Sequence, residues 1–213
     1  MLFQDRDDAA HQLAKKLAGY QGQHPLILAI PRGGVPMAAI VAAELGGEVD
    51  VVLVRKLRAP FNPELAVGSV DEGGWVYLAG HAASSGATQE YIEREKAEQL
   101  RIMRERRAQY TPLRPPIDPE GRIVIVVDDG LATGATMISA LHALRGRKPA
   151  KLIVAVPVSS PEALAHVRMS ADEVICLEAP PHFQAVGQFY ASFEQVEDER
   201  VFDILKALGH PSA

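Results

Sequence analysis

The chain has 213 residues and 47% of them are hydrophobic, enough to bury the core of one domain over 1–213 with room for an appended subregion. A net charge of −5 argues against a general nucleic-acid surface or an anionic-membrane surface, so any anion site must be local. The single cysteine, Cys176, excludes an internal disulfide, and no signal peptide or bilayer-long apolar run is read, so a cytoplasmic soluble protein is expected.

In chain order, Asp5 to Gly19 reads as an amphipathic helix with Leu13, Leu17 and alanines on one face. Pro25 to Ile30 is an apolar strand, Pro36 to Leu45 a helix, and Val49 to Val54 a second strand. Leu65 to Val70 and Trp75 to Leu78 form a hairpin turning at Asp71-Glu72-Gly73-Gly74. A long charged helix follows over Thr88 to Tyr110. Its Arg94, Lys96, Arg101, Arg104, Arg106 and Arg107 are nearly cancelled by Glu90, Glu93, Glu95, Glu98 and Glu105, so it reads as solvated and self-paired. Pro112, Pro115, Pro116 and Pro119 mark an extended connection. Then come strand Ile123 to Val127, helix Ala135 to Leu144 and strand Lys151 to Val156. Ser160-Pro161 is a helix cap with proline at the first position. A strand over Glu173 to Leu177 holds Cys176, which reads as a core residue, and a helix covers Glu199 to Leu208. Strands separated by helices predict an α/β fold with a mostly parallel central sheet. No internal repeat or low-complexity tract interrupts it.

The densest chemistry lies at Asp128-Asp129-Gly130-Leu131-Ala132-Thr133-Gly134-Ala135-Thr136. An unbroken β-branched run of the kind found in buried parallel strands ends in two adjacent carboxylates. Ligands of open α/β sheets bind beyond such strand ends. Two neighbouring carboxylates repel each other unless something satisfies both, and a pair of ribose hydroxyls with a divalent cation nearby would do so. Backbone N–H groups of Ala132 to Thr136, leading into a helix N-terminus, make a phosphate site. Thr133 and Thr136 add hydroxyls, and Gly134 permits close approach. A ribose carrying a 5′-phosphate fits the whole.

A second loop, Ile30-Pro31-Arg32-Gly33-Gly34-Val35-Pro36, ends the first strand. Taken alone it reads equally as a plain Gly-Gly turn with an exposed Arg32 or as an anion loop in which Arg32 offers a forked cation to phosphate. Beside the first motif, the anion reading is favoured.

The Asp-Asp-Gly-Leu-Ala-Thr-Gly-Ala-Thr stretch resembles the phosphoribosyl-pyrophosphate (PRPP) motif of the type I phosphoribosyltransferases. The resemblance implies that fold, with a core over about 23–157, a flexible lid or hairpin with the long helix over about 57–110, and a hood over about 158–213. It implies Asp128 and Asp129 on the ribose and Ala132, Thr133, Gly134, Ala135 and Thr136 on the 5′-phosphate. Arg32, Gly33, Gly34, Arg55 and Lys56 would take the pyrophosphate, Arg32 counting with the two acids as catalytic. A strained or cis peptide is expected at or next to Arg32–Gly33. Mg²⁺ would be held mainly by substrate, with Asp128 and Asp129 as possible ligands. The stretch holding Arg58, Asn62 and Glu64 reads equally as a mobile lid or a rigid hairpin. The aromatic run around Phe183, Phe189 and Tyr190 reads equally as a hood stacking on an acceptor ring or as a satellite hydrophobic cluster; His182 within it reads as a bystander.

Where purine enzymes of the 6-oxo class carry a third acid, this chain has Ala132, which weakens that assignment. The stretch from Val54-Arg55-Lys56 through Asn62-Pro63-Glu64 to Gly68 is similar to a group of bacterial phosphoribosyltransferase-like proteins. The implied reaction moves the phosphoribosyl group from PRPP to a small-molecule nitrogen acceptor, by resemblance a nucleobase in a salvage role, with release of pyrophosphate. The resemblance names neither the acceptor nor a general base. It also implies a homodimer. The alternative is a non-catalytic PRPP-binding regulator, which would need a basic surface to hold nucleic acid.

Overall fold

The structure, a computed structural model, describes residues 2–209, the side chains of Pro63 and Glu64 excepted. Five strands form one parallel sheet: β1 (Leu26–Ala29), β2 (Glu48–Val51), β6 (Ile123–Val127), β7 (Lys151–Val158) and β8 (Glu173–Glu178), in the order β2-β1-β6-β7-β8. A separate antiparallel sheet holds β3 (Val54–Ala59), β4 (Asn62–Asp71) and β5 (Val76–Leu78).

Side-chain alternation along the strands divides the core in two. Ile27, Ala29, Ile125, Val127, Ile153 and Ala155 face helices α1 (Arg6–Lys16), α2 (Gly34–Leu45) and α6 (Asp198–Leu208). Leu26, Leu28, Val124, Val126, Leu152 and Val154 face α4 (Ala135–Arg145) and α5 (Pro161–Val167). Neither face of the central strands meets water, which is why they read as unbroken apolar runs.

From β1 the chain crosses outward through α2 to β2, and from β6 it crosses the other way through α4 to β7. The sheet therefore reverses its winding between β1 and β6, the crevice position where open α/β sheets bind ligands. Ala29 lies beside Val127 in register, so the loops leaving β1 and β6 face each other across that crevice.

The second strand expected over Val49 to Val54 is corrected. β2 stops at Val51, and after a two-residue turn the chain enters β3 in the other sheet. Arg55 and Lys56 thus belong to an antiparallel strand, with Lys56 opposite Ser69 of β4. Val52, Leu53 and Val54 stay buried through the turn, so hydrophobicity does not mark the break. The expected hairpin is present with β4 starting earlier, at Asn62. The small sheet rests on α4 through Ser69, whose hydroxyl donates to the Ala135 carbonyl at 2.8 Å and contacts Ser139 Oγ at 2.6 Å. The long helix α3 (Gln89–Tyr110), capped by Thr88, packs against β3 and β4.

Past residue 157 the chain still contributes to the central sheet, since β8 pairs with β7 at its edge. The segment at 189–192 binds the N-terminal stretch: Leu2 and Phe3 amides donate to the Phe189 carbonyl, Ala191 N–H to Phe3 O, and Ser192 N–H to Gln4 O. This fastens the start of α1 to the segment at 189–192.

Candidate active site

A cleft of about 460 Å³ opens at the β1/β6 crevice, lined by Ile30–Gly33, Val54–Lys56, Arg58, Ala66, Asp128, Asp129 and Thr136. Arg32, Gly33, Arg55, Lys56, Asp128, Asp129 and Thr136, all named from the sequence, meet there. Gly34, the first residue of α2, sits beneath: a Cβ on it would lie 2.5 Å from the Val127 carbonyl oxygen. The peptide between Pro31 and Arg32 is cis, one bond before Arg32–Gly33.

The acid pair sits at the end of β6. Asp128 Oδ1 accepts the Asp129 amide at 2.9 Å. Burial, then the neighbouring charge of Asp129, holds the Asp128 carboxyl well above the usual carboxylate range. Burial raises Asp129 as well, opposed by the guanidinium of Arg6, whose Nε and Nη2 lie 2.9 and 2.8 Å from Asp129 Oδ2. Lys56 pulls both carboxyls down. Tyr190 donates its hydroxyl to the Asp129 carbonyl at 2.7 Å.

Facing the acids is a group of cations. Arg55 donates from Nε to Gln99 Oε1 of α3 at 2.8 Å. Its pKa is pushed down by burial, then by Arg106 and Arg58, with Arg32 adding to the effect and Glu95 opposing it. At Arg55, then, the neighbouring cations outnumber the one opposing carboxylate, Glu95. Arg32 lies 3.7 Å from Glu197 and 3.8 Å from Asp198, too long for firm hydrogen bonds, so its fork is available to a ligand.

The loop over 132–136 separates this cleft from a neighbour of about 460 Å³. Thr136 lines the cleft, while Ala132, Thr133 and Ala135 line the neighbour with Tyr77, Ser160 and Phe183. Gly134 precedes α4 with φ +76°, the left-handed conformation that lets the chain turn into the helix. The loop is anchored from outside by Ser160, whose hydroxyl donates to Ala132 O at 2.8 Å while capping α5.

Of the three aromatic residues considered for an acceptor, only Phe183 borders this second cavity. Phe189 and Tyr190 turn inward and are buried, Tyr190 against Phe3 with ring centroids 5.3 Å apart. Sequence reasoning missed Arg6 and passed over Arg58 as a cleft residue. Arg6 left one weak signal: it is the first residue of α1, where a cation opposes the helix dipole.

The phosphoribosyl transferase domain family matches residues 3–194. The chain belongs to that family. A protein of Mycobacterium tuberculosis, found in strains H37Rv and CDC 1551 and named as a candidate phosphoribosyl transferase, is 40% identical over 208 residues. That match takes in 96% of this chain but 46% of the relative, so the chain spans about half the length of the curated relatives it matches. Among solved structures, TT1426 of Thermus thermophilus is 46% identical with a TM-score of 0.82, covering 98% of this chain and all of that one. The acid pair and the loop over 132–136 therefore sit in a phosphoribosyl transferase domain, with its parallel sheet flanked by helices.

Proposed function

We propose that this domain transfers the 5-phosphoribosyl group of PRPP to a nitrogen acceptor and releases pyrophosphate. The observation that carries the reading is the opposition, across one cleft at the sheet's switch point, of Asp128 and Asp129 to Arg32, Arg55 and Lys56. PRPP has a matching distribution: a neutral diol in the middle, a phosphate at one end and a pyrophosphate at the other.

In the proposed reaction a nitrogen lone pair attacks the anomeric carbon, and the bond from that carbon to the pyrophosphate oxygen breaks with its electron pair leaving on oxygen. Positive charge develops on the ribose ring and negative charge on the leaving group. Asp128 and Asp129 hold the ribose hydroxyls and favour the cation. The amides of Ala132 to Thr136 and the start of α4 hold the 5′-phosphate. Arg32, the adjoining Gly33 and Gly34, Arg55 and Lys56 receive the pyrophosphate. All of this is positioning and fixed electrostatics, worth most where water is excluded.

Magnesium fits as an ion brought in by the substrate. Among the described residues no group of three or more His, Cys, Asp or Glu side chains converges to hold a metal. One carboxylate oxygen of the pair is already committed to Arg6. Asp128 and Asp129 could add ligands to an ion that keeps its waters and the substrate's phosphates; bound there, it would neutralise charge on the leaving pyrophosphate.

The second cavity, between the phosphate loop and Phe183, is our candidate for the acceptor, which we place as a nucleobase or related ring. A homodimer is part of the proposal, tested by light scattering. Pyrophosphate release from Mg²⁺·PRPP, measured across purines, pyrimidines, nicotinate and small amines, tests the reaction. Release with one acceptor identifies the branch. PRPP binding without release for any acceptor favours the regulatory reading.

A further inference from the structure

Arg6 reaches the acid pair from outside both ligand loops, and it is unusually well held. Its Nε and Nη2 both reach Asp129 Oδ2, at 2.9 and 2.8 Å. Nη1 donates to the Glu194 carbonyl at 2.6 Å, and the guanidinium lies 3.9 Å from the centre of the Phe193 ring. The backbone behind it is tied to the hood through Phe3 and Gln4, which accept from Ala191 and Ser192. Asp129 is fixed from the hood side too, by the Tyr190 hydroxyl on its carbonyl.

The other side of the ion pair is the pyrophosphate loop. A Cβ built on Gly33 would lie 2.0 Å from Asp129 Oδ2 and 3.4 Å from Arg6 Nε. The backbone of the leaving-group loop thus rests directly on the paired carboxylate. Three segments far apart in the chain (the start of α1, the end of β6 and the loop after β1) meet at one oxygen atom, with Phe193 closing the stack. The remaining charged groups facing the pair are Asp128 and Lys56.

From this geometry we infer that Arg6 is a positioning residue for PRPP. It clamps Asp129 between the hood and Gly33, so the ribose-binding carboxylates and the pyrophosphate loop are held at one fixed separation before substrate arrives. Such preorganisation acts on affinity and rate without Arg6 touching substrate. The inference rests on the proposed PRPP reading, and the test separates the two.

Mg²⁺·PRPP is titrated calorimetrically into the wild type, Arg6→Gln and Arg6→Lys, and the melting temperature of each is recorded. Lysine can keep the charge at Asp129 but cannot make the double contact or stack flat on Phe193. The expected result is binding weakened by about tenfold or more in Arg6→Gln, which also melts lower because Asp129 loses its cation, with Arg6→Lys in between on both readouts. Equal affinity in the wild type and Arg6→Gln would overturn the inference and leave the PRPP reading standing. Tighter binding in Arg6→Gln would also overturn it, because Arg6 would then be competing with ribose for Asp129. No binding by the wild type would remove both. Should Arg6→Gln lose its cooperative melt, Arg6→Lys decides: affinity equal to wild type overturns the inference, and weakened affinity supports it.

Discussion

Gly33 and Asp129, from loops on adjacent strands, approach so closely that a methyl group on Gly33 would sit 2.0 Å from the Asp129 carboxylate. Only the absence of a side chain lets the loop after β1 and the acid pair share this space. Gly33→Ala must therefore push Asp129 aside and break its pairing with Arg6. The expected cost is about 1–3 kcal/mol of stability, as for other overpacked sites. Mg²⁺·PRPP affinity should fall with it. Thermal melting and calorimetry on the variant check both, and an unchanged melt with full affinity would contradict the close approach.

Asp128 yields a pH prediction with a definite sign. Burial and the Asp129 charge raise its pKa on folding. The folded protein then retains this proton at pH values where the unfolded chain has released it. Stability is therefore lost as pH rises above about 4, the ordinary aspartate value. Asp128→Asn removes that loss and, through its amide oxygen, can still accept the Asp129 N–H. The variant should match the wild type near pH 3 and melt a few degrees higher at pH 7–8, since 1 kcal/mol is worth about 2–4 °C in a domain of this size. It should also be inactive. Melting curves across pH decide this, and a variant less stable than wild type at pH 8 would contradict it.

Gly134 turns the chain into α4 at φ +76°. Alanine there carries the left-handed penalty of about 1–2 kcal/mol. Its Cβ would also crowd Val167 Cγ2 at 3.2 Å and Ala163 Cβ at 3.3 Å. Gly134→Ala should lower the melting temperature by several degrees and weaken inorganic phosphate and PRPP binding together. Calorimetry with each ligand checks the pairing of the two losses.

Cys176, half-buried in β8, donates to the Glu178 carbonyl at 3.0 Å, and burial pushes its thiol up to about 11. At pH 8 it should stay protonated and react slowly with a disulfide reagent until the protein is unfolded. A native rate equal to the unfolded rate would refute this.

Much of the site was legible in the sequence because its parts are local. The strand Ile123 to Val127, the two acids and the glycine loop follow one another without interruption, and each has a backbone reason to be there. The loop at Arg32 was legible for the same reason. Arg6 was not, since it lies 123 residues from Asp129 and is flanked by Asp5, Asp7 and Asp8, which offer it nearer carboxylates in the chain. The change of sheet after Val51 was hidden because Val52 to Val54 remain buried at the junction. The aromatic run over 183–193 gave hydrophobicity without direction. The parallel bridge between Phe3 and Tyr190 accompanies the inward turn of Tyr190, and it joins segments far apart in the chain.

The proposed function stands or falls on whether the cleft between Arg32 and Asp128–Asp129 is a PRPP site. Calorimetric titration of Mg²⁺·PRPP into the wild type and into the double variant Asp128→Asn, Asp129→Asn decides it. Saturable binding by the wild type is expected, with its loss in a double variant that still melts cooperatively. Wild-type protein that fails to bind, or a double variant that binds equally well, would show that the cleft serves another ligand.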